Sequence, residues 1–354
     1  MVSFLKGIRS PSRHGWRSSL EENIAAIASP TPEFKVEIGA VDSYDRMFTG
    51  DFSAKWTEDQ LLDHVLASGR LLLAGRGGGA KTVILEKCAK RALRRRYVPI
   101  LLSMRSWTQM NAQTWSGLGS RSMKVDYLLR TLSSSTVDIS KLDALPPATV
   151  RMLLIDGLNE VDGKDAQDLI FAMDEYAATA INTSVIVSDR LVRRDFIQAD
   201  RWKLCLVLPL AVDEVRRQVA KHRSKGAHHE VLSDAEWSLL SSPYFLNSYI
   251  KTGELEETRA AELRNWFQRH ASLTDAELDL ASRAAYQVYG SASRSFLLAD
   301  FERIAGPAVV QKLHETLIVA GQQALFDHHL KHDFLASFTL PRTSLSGIVR
   351  ALIM

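Results

Sequence analysis

Short apolar runs alternate with longer amphipathic stretches through the first two thirds of the chain. The runs lie at residues 70–74, 97–103, 151–155, 183–188 and 203–208. Apolar runs of this length are typical of strands buried on both faces of a sheet, and helical periodicity separates most of them. The pattern therefore predicts an α/β domain built on a doubly wound parallel sheet.

Two segments near these runs lack the same regularity. Residues 1–55 carry the breaker sequence Ser29-Pro30-Thr31-Pro32 and isolated glycines, which predicts irregular structure. Thr57 is a candidate N-cap for a short helix that ends near Ser68. Residues 104–122 predict a polar loop that carries Trp107 and Trp115.

The pattern changes after Pro209, where the periodicity becomes mainly helical. Amphipathic helices are predicted at 212–223, 234–250 and 255–270, and helices with two short strands, at 317–319 and 324–326, follow. No repeat of 20–50 residues is present. The predicted division is an N-terminal segment at 1–59, an NTPase-like core at 60–210, a helical domain at 211–273, a winged helix at 274–340 and a tail at 341–354.

Composition places the chain among ordinary globular proteins. It has 354 residues, of which 46% are hydrophobic and 24% charged, enough to bury a core without disulfides. The two cysteines, Cys88 and Cys205, show no metal-ligand spacing and are expected to be reduced. The sequence has no run of 18 apolar residues, so no membrane span is predicted. The N-terminus lacks the apolar segment of a signal peptide, so a cytoplasmic location is expected.

The net charge of +3 is too small to indicate a nucleic-acid partner by itself. One basic run lies on the helix predicted after the glycine-rich loop: Lys87, Lys90, Arg91, Arg94, Arg95 and Arg96. A solvated helix face with cations near its C-terminus explains this run, and a nucleic-acid patch is the alternative.

A phosphate loop is predicted between the first strand and the helix that follows it. Gly75, Lys81 and Thr82 have the spacing of the GxxxxGK[ST] motif, in which backbone amides cradle phosphates, the lysine contacts the β and γ phosphates and the hydroxyl binds Mg²⁺. The predicted nucleotide contacts are Gly75, Gly77, Gly78, Gly79, Ala80, Lys81 and Thr82. The alternative is a glycine-rich turn that binds nothing.

Ala80 departs from this motif, because it stands where the last glycine is expected. If that position needs a positive φ, alanine costs roughly 1 kcal/mol there, and its Cβ could crowd the phosphates. Weaker affinity is the expected consequence, not loss of binding.

An acidic residue ends the strand predicted at 151–155. Asp156 at this position is expected to hold Mg²⁺ beside the phosphate loop, and Gly157 leaves room for the water shell of the metal. Glu160 could polarise the attacking water as a general base. Alternatively, Asp156 only starts a turn and Glu160 is a solvated loop acid.

The run LLIDGLNEV resembles the Walker B signature of the NACHT family of STAND NTPases, in which a small residue and then an acidic pair follow the aspartate. Gly157 and Glu160 match that signature. Asn159 replaces the first acid of the pair, which puts full hydrolytic competence in doubt.

Three further segments resemble the same family. The strand that ends in Asp189-Arg190 is similar to its sensor 1, whose arginine lies near the γ-phosphate, although Asp189 replaces the usual serine. Pro243 matches the proline that packs on adenine, and His328 matches the winged-helix histidine that reaches the β-phosphate of ADP. The alternatives are a loop arginine, a helix-start proline and a His328/His332 pair that shares one helix face, either solvated or bound to a metal.

The resemblance implies an ATP/ADP-dependent signalling switch with bound Mg²⁺, in defence or another regulated pathway. ADP would hold it closed, ATP would open it and allow self-association or partner binding, and slow hydrolysis would reset it. The alternatives are a non-hydrolysing nucleotide-binding scaffold, favoured by Ala80 and Asn159, and a nucleic-acid-remodelling ATPase.

Overall fold

The computed structural model describes residues 34–133, 137, 139–191, 199–223, 232–289 and 295–339. The irregular structure expected for residues 1–33 and the tail expected at 341–354 lie outside the described residues.

Seven strands form one sheet in the order β2-β1-β7-β3-β6-β5-β4. They are β1 (Glu37–Val41), β2 (Ala54–Thr57), β3 (Arg70–Gly75), β4 (Val98–Ser103), β5 (Arg151–Asp156), β6 (Thr183–Arg190) and β7 (Lys203–Val207). The five strands from β7 to β4 run parallel, and each corresponds to one of the predicted apolar runs. The predicted α/β class and doubly wound sheet are confirmed.

Seven helices accompany this sheet in the described part of the core. They are α1 (Arg46–Thr49), α2 (Glu58–Ser68), α3 (Lys81–Arg94), α4 (Gln109–Gly117), α5 (Arg121–Leu132), α6 (Ile139–Asp143) and α7 (Gly163–Thr179). The predicted start of α2 is confirmed, because the amide of Thr57 donates to Gln60 Oε1 at 2.9 Å and closes a capping box.

Alternate side chains of the parallel strands enter two different cores. Leu72 packs in one hydrophobic cluster and its neighbours Leu71 and Leu73 pack in the other, on the opposite face of the sheet. Cys88 and Cys205 are buried free thiols, and burial raises the pKa of each to about 12. Both cysteines therefore serve as small apolar side chains.

Two predictions for this region are wrong. Residues 37–57 are not irregular, since β1 pairs antiparallel with both β7 and β2 and extends the sheet. Residues 104–122 are not a polar loop, because α4 and the start of α5 lie there. Trp107 and Trp115 anchor this segment, and their buried rings meet edge to face at 5.7 Å.

The second half of the chain adds helices and a small sheet. The helices are α8 (Val212–Arg223), α9 (Asp234–Leu240), α10 (Pro243–Thr252), α11 (Arg259–Arg269), α12 (Asp275–Tyr289), α13 (Leu298–Ala305), α14 (Pro307–Lys312) and α15 (His329–Thr339). A three-stranded sheet in the order β8-β10-β9 is formed by β8 (Phe296–Leu297), β9 (Leu317–Ala320) and β10 (Gln323–Phe326). This arrangement of helices and a small antiparallel sheet is winged-helix-like.

The single helix predicted at 234–250 is wrong at its centre. It divides into α9 and α10 because Pro243 has no amide hydrogen to donate and restrains the residue before it. Pro243 instead occupies the first turn of α10, where a proline is favourable. A third hydrophobic cluster joins these helices to the winged helix through Phe245, Phe267 and Leu335.

Candidate functional site

The carboxyl ends of β3, β5 and β6 bring the predicted chemistry to one edge of the sheet. Gly75 at the end of β3 pairs with Arg190 at the end of β6, and Asp156 ends β5 beside Ser103 of β4. Ligands of open α/β sheets bind outside this edge. The predicted phosphate loop and the predicted metal aspartate therefore lie together.

The phosphate loop turns sharply into α3. Ala80 is the N-cap of that helix and has φ 64° and ψ 18°, the left-handed region that favours glycine. This position therefore has the positive φ at which the sequence analysis expected alanine to be strained. Gly78 also has a positive φ, of 75°.

Helices α10 and α15 both pack against this loop. A Cβ on Gly77 would lie 2.8 Å from Leu330 Cδ2 and 3.2 Å from His329 Nε2. The amide of Tyr244 donates to the Gly78 carbonyl oxygen at 3.3 Å. The glycines therefore permit both a tight turn and the close approach of two other parts of the chain.

Lys81 is buried at the first turn of α3. Its Nζ donates to the carbonyl oxygens of Gly75 at 2.9 Å and of Arg76 at 3.1 Å. Burial lowers the pKa of Lys81 to about 8, opposed in part by the nearby Asp156 carboxylate. An anionic phosphate would favour the charged form of this buried ammonium group.

The candidate magnesium site consists of hard oxygen donors. Thr82 Oγ1 donates to Asp156 Oδ2 at 2.8 Å, and Ser188 Oγ donates to Asp156 Oδ1 at 2.8 Å. The Ser188 hydroxyl also accepts from the amide of Gly157 at 2.9 Å. One carboxylate and one hydroxyl suit Mg²⁺ that is otherwise held by phosphates and water. Within the described residues, no group of three or more His, Cys, Asp or Glu side chains could hold a metal alone.

The candidate general base is held by its neighbour. Glu160 is buried, and Asn159 Nδ2 donates to its Oε1 at 2.7 Å. Asn159, the departure from the acidic pair, thus orients the carboxylate that follows it.

The candidate sensor residue, Arg190, is bound to the winged helix. Its Nη1 donates to Asp333 Oδ2 at 2.7 Å, and Tyr289 Oη donates to Asp333 Oδ1 at 2.8 Å. The Nε and Nη2 atoms of Arg190 are buried without a partner in the described residues. Arg190 is therefore only partly satisfied by the bond to Asp333.

One cavity of about 310 Å³ joins these groups to the second half of the chain. The phosphate loop, Asp156 and Glu160 line one side of it, and Pro243, His328 and His329 line another. Burial lowers the pKa of His328 to about 3 and holds that of His329 well below its usual value, with Arg105 or Arg190 as the next cause. Both imidazoles are neutral at pH 7.

The predicted geometry of the histidines needs correction. His328 precedes α15, so it does not share a helix face with His332, whose Nε2 lies 3.2 Å from the Ala285 carbonyl oxygen inside the winged-helix core. His329, the first residue of α15, also lines the cavity. His328 Nδ1 accepts from the amide of Leu330 at 3.2 Å, so the neutral ring carries its proton on Nε2.

Several cavity residues were not identified from the sequence: Glu86, Arg105, Ser188, Tyr244, Asn247 and His329. Ser188 had a usable signal, because residues two apart in a strand share a face and Ser188 precedes Arg190 by two. Arg105 and Asn247 had none, since their positions depend on how the loop after β4 and helix α10 meet the sheet.

The predicted basic helix face is partly neutralised. Lys87 Nζ lies 2.8 Å from Glu58 Oε1, and Arg91 and Arg95 form ion pairs with Asp59 and Asp63 of α2. Three of the six cations thus have acidic partners on an adjacent helix. In the described part of the chain, no helix has both the length and the apolar character needed to span a membrane.

No protein-family model and no curated protein matches the chain. Among solved structures, it resembles a STAND protein with a tetratricopeptide repeat sensor from Pyrococcus horikoshii (13% identity, TM-score 0.42), over 83% of this chain and 46% of that one. It also resembles Drosophila ORC bound to DNA (12% identity, TM-score 0.35, 95% and 94% covered). A third match is Cdc6p from Pyrobaculum aerophilum (11% identity, TM-score 0.34, 85% and 99% covered).

These likenesses are distant and concern the general fold. The chain's own geometry gives the clearer result, because a glycine loop joins the central parallel strand β3 to α3 and an acidic strand end lies beside it. This is the fold of a P-loop NTPase.

Proposed function

We propose that this chain is an ATP/ADP-dependent signalling switch of the NACHT/STAND type. It would be closed with ADP, opened by ATP to oligomerise or signal in defence or another regulated pathway, and reset by slow Mg²⁺-dependent hydrolysis. The observation that carries the proposal is the shared cavity, which residues of the core, of α10 and of the winged-helix segment line together. A nucleotide in this cavity would contact all three parts at once.

The adenine would occupy an apolar part of the cavity. Phe34, Val36 and Pro243 line it with apolar surface, and the Oδ1 atom of Asn247 is buried without a partner in the described residues. The exocyclic amino group of adenine is a hydrogen-bond donor, and this oxygen is an acceptor that lines the same cavity as Pro243. These features favour a nucleotide base over inorganic phosphate.

The closed state would be held by contacts that a γ-phosphate competes for. Arg190 is bonded to Asp333 of α15, and a terminal phosphate near β6 offers the same guanidinium a stronger anionic partner. A ligand shifts such an equilibrium only by binding the two states differently. Loss of the Arg190–Asp333 bond on ATP binding supplies that difference.

The test combines bound-nucleotide analysis with molecular mass by light scattering. The purified protein is expected to contain ADP and to have the mass of a single chain, and exchange for a non-hydrolysable ATP analogue with Mg²⁺ is expected to give larger species. Asp333→Asn should give larger species without ATP, and Asp300→Asn, an exposed acid on α13, should not. A protein that binds neither nucleotide contradicts the proposal.

A non-hydrolysing scaffold is the second candidate, and two observations favour it. Ala80 occupies a left-handed position in the phosphate loop, and the Glu160 carboxylate is engaged by Asn159. Both features would slow ATP hydrolysis, whereas Lys81 and Asp156, the residues proposed to bind the nucleotide and Mg²⁺, are retained. Tight nucleotide binding with no ATP turnover by the wild-type protein would establish this second candidate.

A further inference from the structure

Arg105 lies beside the candidate catalytic groups although no motif identified it. It sits in a short 3-10 turn, Met104–Ser106, directly after β4, whose last residue Ser103 pairs with Asp156. Arg105 lines the nucleotide cavity together with Glu160. It also lines, again with Glu160, a smaller cavity that extends toward His332 of the winged helix.

The guanidinium group of Arg105 forms no ion pair within the part of the chain that the structure describes. Half-buried, it makes no hydrogen bond or ion pair with any residue that the structure describes, whereas Arg190 has Asp333 and Lys81 has two carbonyl oxygens. Taking a cation partly out of water without a partner is unfavourable, so such a group is suited to bind an anionic ligand.

One acid that lines the same cavity, Glu86, does not neutralise Arg105 fully. Glu86 is 4% exposed on α3 and also lines the nucleotide cavity. Burial raises the pKa of Glu86 to about 7, opposed by Lys90 and Arg105. The two histidines on the other side of the cavity are neutral, and the positive charge of Arg105 helps to keep them so.

We propose that Arg105 binds the γ-phosphate of ATP in cis and thereby distinguishes the triphosphate from the diphosphate. This inference rests on the proposed nucleotide-binding function. We assign Arg105 to the γ-phosphate because it lies next to Glu160. A base that polarises the attacking water must lie at the γ end of the nucleotide. A guanidinium fork matches phosphate oxygens in a bidentate manner.

Arg105 would complement Arg190 and not duplicate it. Arg190 is bonded to Asp333 while the winged helix is in place, whereas none of the described residues forms an ion pair with Arg105. Its presence in both cavities also places it between the nucleotide and the winged helix. Binding of a γ-phosphate at Arg105 would therefore precede release of Arg190.

The experiment measures calorimetric affinities of the full chain for Mg²⁺-ADP and for a Mg²⁺-bound non-hydrolysable ATP analogue. Arg105→Gln is expected to lower the affinity for the analogue by roughly 10–100-fold and the affinity for ADP by less than about 3-fold. Only the complex with the analogue loses a charge-assisted contact. Arg105→Lys should recover part of the preference, since it keeps the charge but not the fork. Arg94→Gln, an exposed arginine on α3, is the matched control for lost charge and should change neither affinity.

Two results overturn the inference: unchanged affinities in Arg105→Gln, or an equal loss for both nucleotides. Should Arg105→Gln fail to fold, an unaltered ATP-to-ADP affinity ratio in Arg105→Lys overturns it instead. Lys81→Ala tests nucleotide binding independently of Arg105, because it should lower the affinities for both nucleotides together. If wild type and Lys81→Ala bind equally, the proposed function fails; if Lys81 matters and Arg105 does not, only this inference fails.

Discussion

The two walls of the nucleotide cavity differ in how their polar groups are satisfied. The phosphate wall, made of Lys81, Thr82, Asp156 and Ser188, bonds within itself and with its own loop. The closing wall, made of Asn247, Asp327, His328 and His329, leaves atoms unpaired: Asn247 Oδ1, Asp327 Oδ1 and His329 Nε2 are buried without partners in the described residues.

This difference indicates different roles for the two walls. A buried polar atom without a partner costs about 1–3 kcal/mol, so the closing wall is incomplete until a ligand supplies partners. The phosphate wall is pre-organised, and its bonds fix the positions that chemistry requires. Changes in the phosphate wall should therefore affect binding and turnover, and changes in the closing wall should affect closure.

The largest expected effect is on turnover, from Glu160→Gln beside the phosphate wall. A general base contributes roughly 10²–10⁴-fold, so ATP hydrolysis should fall by that range, while ATP affinity changes little because the base acts on water. The measurement is phosphate release together with calorimetric affinity. Glu257→Gln, an exposed acid in the loop before α11, serves as the control. A wild-type rate in Glu160→Gln would place the base elsewhere.

The next largest effect is expected for Lys81→Ala, which removes the ammonium group of the phosphate wall. A charge-assisted contact contributes roughly 1.5–3 kcal/mol, so nucleotide affinity should fall by about 10–100-fold. Folding should be unaffected, because Lys81 bonds only to loop carbonyl oxygens in the described structure. Thermal unfolding and calorimetry measure both quantities, and Lys90→Ala on the exposed side of α3 is the control. Equal ATP affinities would contradict the phosphate-loop assignment.

A smaller effect, confined to closure, is expected for His328→Leu. The Nε2–H of the neutral ring is available to the cavity, and its loss should speed ADP release by roughly 10-fold and populate larger species. A comparable effect is expected from His329→Leu, because His329 faces Gly77 of the phosphate loop. His314→Leu, on an exposed histidine, is the appropriate control. Wild-type ADP release and mass in His328→Leu would place the latch at another residue.

The sequence predicted the phosphate wall more fully than the closing wall. Lys81, Thr82 and Asp156 lie within one strand–loop–helix unit and one strand end, where local spacing determines geometry. The closing wall depends on how α10 and α15 pack across the core, which no local spacing encodes. His328 was identified only through a family resemblance, and it was expected to share a helix face with His332, whereas the helix begins one residue after it.

The fold shows the same distinction between local and long-range information. Fully buried runs such as β5 were predicted to within a residue, because continuous apolar character is a strong signal. The antiparallel strand β1 was missed, since it is short and follows a proline-rich segment. The helices after β4 were missed because polar surface residues mask the buried Trp107 and Trp115.

The smallest expected effect concerns Ala80, the non-glycine residue of the phosphate loop that has a positive φ. Its φ of 64° costs an alanine roughly 1 kcal/mol relative to glycine, and the residue also lines the cavity. Ala80→Gly relieves that strain but also loosens the unfolded chain, by about 0.4–1 kcal/mol. Because these contributions oppose each other, the free energy of unfolding should change by less than about 0.5 kcal/mol.

Ala80→Gly should change the nucleotide affinity more than it changes the free energy of unfolding. Removing the Cβ lets the loop amides approach the phosphates, so Ala80→Gly should tighten ATP binding by up to about 5-fold, the equivalent of roughly 1 kcal/mol. Ala80→Val is the matched opposite, because a β-branched residue at positive φ is more strained and should weaken binding. Calorimetric titration of both variants with Mg²⁺-ATP measures the pair. If glycine and valine give the wild-type affinity, the loop accommodates a side chain at this position and Ala80 does not weaken nucleotide binding.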